Sequence, residues 1–251
     1  MEAIITGKNI VKTFGQGGEQ TKALAGVDVE IGKGEFVAVM GPSGSGKSTL
    51  LFALSGMDGI TSGSVKFDGV ELSELGENEL ADTRRTKMGF IFQQPTMLKN
   101  LNLLDNIILP AARDKKKRDG LVKKAKNLME KTSIVGLETR DITEVSGGQL
   151  QRAGICRALM NEPQILFADE PTGALNSKSA EEIMGLLEEI NRGGTAILLV
   201  THDAKVAARA DRVLFTKDGN IVSDLPLGKP GVGDMEARGE KILSRMAAVG
   251  I

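Results

Sequence analysis

The sequence contains neither Trp nor Tyr, and eight Phe are its whole aromatic complement. A platform that stacks unpaired bases, of the kind RNA-binding sheets use, is hard to build from that. A single cysteine, Cys156, excludes an intrachain disulfide and any metal site made of several thiolates, which suits a reducing cytosol. Its apolar, helix-like surroundings at 153–159 make it a small packed residue. Neither sign of charge is in excess: 32 Lys and Arg face 33 Asp and Glu, a formal net of −1. There is accordingly no global electrostatic case for nucleic acid or an anionic membrane as the main partner. Apolar runs reach only about five residues, as at 196–200, against the roughly 20 that a helix needs to span a bilayer. Residues 1–8 lack the basic start, apolar core and cleavage site of a secretion signal. The expectation is a cytoplasmic chain that something else must anchor if it works at a membrane.

What is present centres on Gly41-Pro42-Ser43-Gly44-Ser45-Gly46-Lys47-Ser48-Thr49. The apolar run at 36–40 before it reads as a buried strand, and 50–54 after it as a helix. Strand, glycine loop and helix, at this spacing, match the known phosphate-loop pattern G-x-x-x-x-G-K-S/T. The glycines let backbone N–H groups converge on a phosphate, and the helix adds unpaired donors and the positive end of its dipole. Lys47 is expected to reach the β- and γ-phosphates, and the Ser48 hydroxyl to sit on Mg²⁺.

Around this loop the chain changes character several times. Short apolar stretches at 4–5, 10–11, 23–31 and 36–40, separated by glycines, suggest an antiparallel β-rich entry with a turn at Gln16-Gly17-Gly18-Glu19. A strand at 63–67, a polar helical stretch at 72–85 and a strand at 88–92 follow. From Asn102 to about Thr132, Leu103, Leu104, Ile107, Ile108, Leu121, Val122, Leu128 and Met129 recur at helical spacing, so a helical subdomain is inserted at about 96–160. Within it Arg113-Asp114-Lys115-Lys116-Lys117-Arg118-Asp119 carries five cations in seven residues and reads as a solvated loop and helix start. Helices at 147–160, 178–191 and 203–209 then alternate with apolar strands at 165–168 and 196–200, and strands at 212–216 and 220–223 flank the turn Lys217-Asp218-Gly219. That alternation predicts an α/β fold with a mainly parallel sheet covered on both faces. One unit over 1–223 is followed by a breaker-rich linker and a terminal helix over 224–251. Met235, Ile242, Leu243, Met246 and Val249 are assigned to the apolar face of that helix, and Glu236, Arg238, Glu240, Lys241 and Arg245 to the others. Such a helix docks on its own domain or on a partner subunit.

A phosphate loop needs an acid to organise its metal, and the end of a sheet strand is the natural place for one. The strand at 165–168 leads into Asp169 and Glu170. In open α/β sheets ligands bind at the carboxyl ends of the strands, so this pair can converge with the loop from far along the chain. Asp169 is expected to hold Mg²⁺ through water and Glu170 to orient or deprotonate the attacking water. Ser146-Gly147-Gly148-Gln149, opening the next helix, forms a second anion site from backbone amides and a hydroxyl, or else a simple helix cap.

With these motifs in this order, residues 3–223 resemble the nucleotide-binding subunits of ATP-binding cassette (ABC) transporters. The resemblance implies a P-loop ATPase with an N-terminal antiparallel β subdomain and an inserted α-helical subdomain. It makes Gln93, after Gly89-Phe90-Ile91-Phe92, the glutamine that reaches the metal and the site. Val145-Ser146-Gly147-Gly148-Gln149 becomes the family signature, His202 the switch histidine beside the γ-phosphate, and Phe14 the aromatic that stacks on adenine, although a Phe after a strand fits a core equally well. Phe14 stands where Tyr is usual, Val145 where Leu is usual, and Asn176 where the segment after the acidic strand usually has Asp. The resemblance further implies ATP and Mg²⁺ as cofactors, and a head-to-tail dimer in which one copy's signature closes over ATP on the other. It also implies integral-membrane permease subunits at the inner face of the cell membrane and no nucleic acid. Force would pass to the permease through the groove at about 94–106. The Ala168-Asp169-Glu170-Pro171-Thr172-Gly173 stretch and its continuation look like the macrolide-export and lipoprotein-release type, and the tail like the bacitracin and antimicrobial-peptide resistance branch. Other readings are an ATPase module of a sensory complex, with a sensor kinase as partner, and a soluble ABC ATPase without transport.

Overall fold

The strands form two sheets in a computed structural model that describes residues 2–15, 20–113, 118–231 and 234–251. The chain opens with two long antiparallel strands, β1 (Ala3–Phe14) and β2 (Thr21–Gly32), then enters the interior as β3 (Phe36–Met40), buried at every residue. Next come α1 (Lys47–Leu54), β4 (Ser62–Phe67), β5 (Val70–Glu71), α2 (Glu77–Lys87) and β6 (Met88–Phe92). Three helices follow, α3 (Leu103–Ile108), α4 (Arg118–Lys131) and α5 (Gly147–Leu159). After them run β7 (Ile165–Asp169), α6 (Ser177–Arg192), β8 (Ala196–Val200), α7 (Ala204–Ala207), β9 (Arg212–Lys217), β10 (Asn220–Pro226) and α8 (Met235–Ala248).

One sheet has the order β2-β1-β4-β5 and is antiparallel throughout. The other runs β10-β9-β3-β8-β7-β6 and is parallel except for the β9–β10 hairpin at its edge. The apolar, β-branched runs of β3, β7 and β8 suit strands covered on both faces. One face packs on α1 and the antiparallel sheet through Val37, Val39, Leu50 and Leu54; the other packs on α6, α7 and α8 through Ala38, Leu199, Leu187 and Ile242. A separate cluster, with Leu103, Ile107, Ala125, Met129 and Cys156 at its centre, fills the space among α3, α4 and α5.

Four local expectations need adjustment. The stretches at 4–5 and 10–11 are not separate strands: β1 is continuous, and the irregularity at 7–10 is a bulge in its pairing with β2, where Asn9 takes a left-handed backbone (φ 46°) and donates its N–H to Asp28 Oδ1. β10 runs on through Pro226, which an edge strand tolerates because the missing N–H is not needed there. On α8, Leu243 faces solvent at 57% exposure, whereas Arg238, assigned from its charge to a polar face, is 1% exposed and occupies the packed one. The turn at 16–19 and residues 114–117 of the basic run lie outside the described residues. The run's ends make surface ion pairs, Arg113 with Asp82 and Arg118 with Asp105. Among the described residues no helix is long and apolar enough to cross a membrane.

Candidate active site

Val39, Val200, Asp169 and Phe92 form one row across the parallel sheet, each paired with the next. The segments that follow them, with Gly41, His202, Glu170 and Gln93, therefore leave the sheet at the same edge. This is how residues scattered over more than 150 positions come together.

The glycine loop joins β3 to α1. Gly46 caps α1 with a left-handed backbone (φ 95°), and a Cβ there would lie 2.5 Å from the Ala23 carbonyl oxygen, so β2 leaves room for glycine alone. Ser45 is buried and shares a 2.8 Å hydroxyl contact with Thr216, which donates to the Met40 carbonyl at 3.2 Å. Thr216 has one proton and spends it on Met40, so Ser45 is the donor between the two hydroxyls. These bonds tie the loop to β9. No acidic side chain occupies the first turn of α1, which leaves its N-terminal donors to an anion.

Lys47 donates from Nζ to the Gly41 and Pro42 carbonyls at 2.9 and 2.8 Å. Burial holds its ammonium below the usual lysine range, against the pull of Glu170 and Asp169. Ser48 donates from Oγ to Asp169 Oδ1 at 3.1 Å. Burial pushes the Asp169 carboxyl above its ordinary value; the Ser48 hydrogen bond opposes this and the nearby Glu170 charge adds to it. A bound anion and cation would favour the charged forms of Lys47 and Asp169 respectively. Among the described residues no three His, Cys, Asp or Glu cluster to hold a metal by themselves. Ser48, Asp169 and Gln93 are oxygen donors suited to a hard cation that also takes phosphate oxygens, and so fit Mg²⁺.

Glu170 is one of the few non-glycine residues with a left-handed backbone (φ 46°), a conformation that costs about 1 kcal/mol. Its N–H donates to the Val200 carbonyl at 3.0 Å, fixing the kink just past β7. Its carboxylate Oε1 is 3.1 Å from His202 Nδ1, and the His202 ring is otherwise 70% exposed. Strain of this kind persists where surrounding bonds over-determine it, and here it aims a carboxylate off the strand end. Gly173 sits beside Gln93 and Glu170: a Cβ there would be 2.9 Å from Gln93 Nε2 and 3.2 Å from Glu170 Oε2. Gln93 and Glu170 thereby flank one backbone position, and His202 joins them through its contact with Glu170.

Ser146 caps α5 reciprocally with Gln149: the Ser146 N–H donates to Gln149 Oε1 at 2.8 Å, and the Gln149 N–H to Ser146 Oγ at 3.3 Å. The neighbours of Gly147 and Gly148 are Leu175 and Ser179, near the start of α6. Neither neighbour belongs to the phosphate loop. Asn176 caps α6, its Oδ1 accepting from the Ser179 N–H at 2.9 Å, a task an Asp would do equally. Phe14 is 45% exposed at the end of β1, with the Lys12 ammonium 4.9 Å from its ring centre, so it is not a core residue.

Three residues that sequence reasoning did not single out also shape the site. Thr216 and Gly173 act as described. Gln151, buried in α5, donates from Nε2 to the Phe92 carbonyl at 3.0 Å and so links the helix that begins with the signature to the peptide preceding Gln93. Only Gly173 left a signal, as the glycine closing Glu170-Pro171-Thr172-Gly173.

A family model described as "ABC transporter" matches residues 24–173. The chain is 44% identical over 227 residues to a bacitracin export ATP-binding protein of Halalkalibacterium halodurans, covering 90% of each. It is 43% identical over 221 residues to a macrolide export ATP-binding/permease protein of Mannheimia succiniciproducens, covering 88% of this chain and 34% of that protein, so it spans about a third of that relative's length. Among solved structures, an ATP-binding cassette in a dimeric post-hydrolysis state bound to ADP and Pi aligns with a TM-score of 0.83 at 38% identity, covering 89% of this chain and 98% of that one. A loop that can cradle phosphates, two acids at the end of β7 on the same sheet edge and relatives of this similarity lead to one conclusion: the chain belongs to the ABC transporter family and is an ATP-binding, ATP-hydrolysing domain of it.

Proposed function

We propose that this chain is the ATPase subunit of a membrane export system whose cargo is an antimicrobial peptide or similar amphiphile. The cargo class is taken from the bacitracin export relative, which has nearly the same length and is covered over 90% of it. Integral-membrane permease subunits are the partners, and the chain works peripherally at the inner face of the cell membrane. A groove of about 240 Å³, with Met57, Met88, Phe90 and Phe92 as its apolar lining and Arg84 and Arg157 at its polar side, supports this reading as a place for an inserted partner segment, although it does not include the 94–106 stretch expected from the sequence.

In this reading the amides of residues 41–49 receive the phosphates, Lys47 neutralises the β- and γ-phosphates, and Phe14 stacks on adenine. Ser48, Gln93 and Asp169 would hold Mg²⁺. When bound, the cation offsets charge on the phosphate oxygens. Glu170 accepts a proton from the attacking water, and His202, hydrogen-bonded to Glu170, orients that carboxylate and meets the γ-phosphate. Ser146, Gly147, Gly148 and Gln149 come from a second copy arranged head to tail, a reading supported by the neighbours of Gly147 and Gly148, which are Leu175 and Ser179 and not residues of the loop.

The observation that carries the mechanism is the convergence of Ser48 with Asp169 at 3.1 Å and of Glu170 with His202 at 3.1 Å at one sheet edge. The test is Glu170→Gln, which keeps shape and removes the base. Turnover is expected to fall at least about a hundredfold, the lower end for loss of a general base. ATP is expected still to bind and to drive the chain into a dimer measurable by light scattering. Undiminished hydrolysis would remove Glu170 from the role. Failure to co-purify with any polytopic membrane protein would remove the export assignment.

A further inference from the structure

Arg238 of α8 is the most deeply buried charged side chain among the described residues, at 1% exposure. Its guanidinium donates to four carbonyls: Ala208 O through Nε at 2.6 Å, Ala210 O and Gly228 O through Nη2 at 2.6 and 3.0 Å, and Leu227 O through Nη1 at 3.0 Å. The one carboxylate near it, Asp234, is 3.6 Å away and half-exposed. Burying a cation costs several kcal/mol, so a guanidinium placed on neutral carbonyls must satisfy groups that would otherwise be orphaned. Ala208 and Ala210 are such groups, since they follow the last turn of α7, where carbonyls lack helical partners.

The α7 segment begins at His202. Asp203 caps α7 by accepting from the Lys205 N–H at 2.8 Å, and its own N–H donates to Thr201 Oγ1 at 3.1 Å. Four residues of helix therefore separate the γ-phosphate-facing ring from the carbonyls that Arg238 holds. At the segment's far end the Asp211 N–H pairs with the Phe36 carbonyl at 2.7 Å, and Arg209 is ion-paired with Glu181 and Glu188 of α6. Ile242, one turn beyond Arg238, is fully buried in the cluster that contains Ala207, Ala208 and Ala210.

We infer that α8 is a positioning element for hydrolysis and that Arg238 is its key residue, setting where α7 ends and through α7 where His202 meets Glu170. The inference rests on the proposed role of His202, and the experiment separates the two. Steady-state hydrolysis and binding of a fluorescent ATP analogue are measured on the full chain and on His202→Ala, Arg238→Met, Arg238→Lys and the His202→Ala/Arg238→Met double variant. Arg238→Met is expected to lower kcat about tenfold, with KM and analogue affinity within about twofold, because the phosphate loop lies on another segment. Arg238→Lys, with three donors for four carbonyls, is expected to fall between. The double variant is expected to turn over as slowly as His202→Ala alone, since a residue that acts through His202 has nothing left to act on. If the two effects multiply, or if kcat and analogue affinity fall together, α8 only supports the fold and the inference is overturned. An unaffected kcat in Arg238→Met overturns it as well. If His202→Ala itself retains full turnover, the role of His202 fails first and the inference with it.

Discussion

Gly173→Ala probes the site without replacing any group that does chemistry. The added methyl would sit 2.9 Å from Gln93 Nε2, 3.2 Å from Glu170 Oε2 and 3.3 Å from Gln93 Cδ. Ordinary contact begins near 3.5 Å, so the amide must retreat by about 0.6 Å and the carboxylate by about 0.3 Å. Both are far ends of flexible side chains, and the backbone at Gly173 is not left-handed, so the fold has little to resist. The expected change in stability is under about 1 kcal/mol, in the usual range for a surface substitution without strain. Catalysis is less forgiving: a misplacement of about 1 Å can cost about a hundredfold, and half that displacement suggests a loss in kcat of about tenfold. KM for ATP should hold within about twofold, because Lys47 and the loop amides are untouched. Phosphate release under steady state, titration with a fluorescent nucleotide and a thermal melt measure the three quantities. A Gly173→Ala chain with unchanged kcat would refute the reasoning, since the hydrolytic arrangement of Gln93 and Glu170 would then not be the one seen beside Gly173. A parallel loss of nucleotide affinity would refute it too.

Two further outcomes follow from the geometry. Lys47→Ala should weaken nucleotide binding itself by about a hundredfold, as removal of a charge-assisted contact of about 3 kcal/mol would, and equilibrium titration reads this directly. Burial pushes the Cys156 thiol up to about 12 from 9.0. The native state therefore keeps its proton while the unfolded thiol ionises, so the contribution is intact below pH 9 and is lost as pH rises towards 12. At pH 10 the loss is about 1.4 kcal/mol, seen as a shift in urea midpoint that Cys156→Ala does not share.

The parts of the site legible in the sequence are those whose chemistry dictates residue type and spacing at once. Lys47, Ser48, Asp169 and Glu170 could be read because a phosphate loop and an acidic strand end leave few alternatives. The parallel sheet was legible for a related reason, since runs such as 165–168 and 196–200 have no polar face to show solvent. What could not be read are contacts between distant segments that one common residue type makes by virtue of the fold. Gln151 reaches the Phe92 carbonyl 59 positions away, and Thr216 reaches Ser45 across 171. Neither pairing leaves a local pattern. Arg238 was misassigned for a sharper reason: periodicity rules send charge to solvent, and they hold no information about four carbonyls collected from the ends of other elements. The bulge at Asn9 escaped in the same way, because a glycine and an asparagine between apolar pairs resemble a turn until the partner strand is known.

The two bonds from Lys47 to the Gly41 and Pro42 carbonyls bear on why the residue is lysine. An ammonium has three protons, and two are directed at the loop's own backbone, which leaves one free for an incoming phosphate oxygen. The side chain is thus already immobilised by the scaffold that it serves, and its rotational freedom is not lost again when ligand arrives. A tripod of this kind requires donors spread tetrahedrally around one atom. Arginine has equal charge but spreads its donors in one plane over three nitrogens at the end of a bulkier group, so it does not reproduce three bonds diverging from a single atom, and Lys47→Arg would be a change of geometry and not of electrostatics.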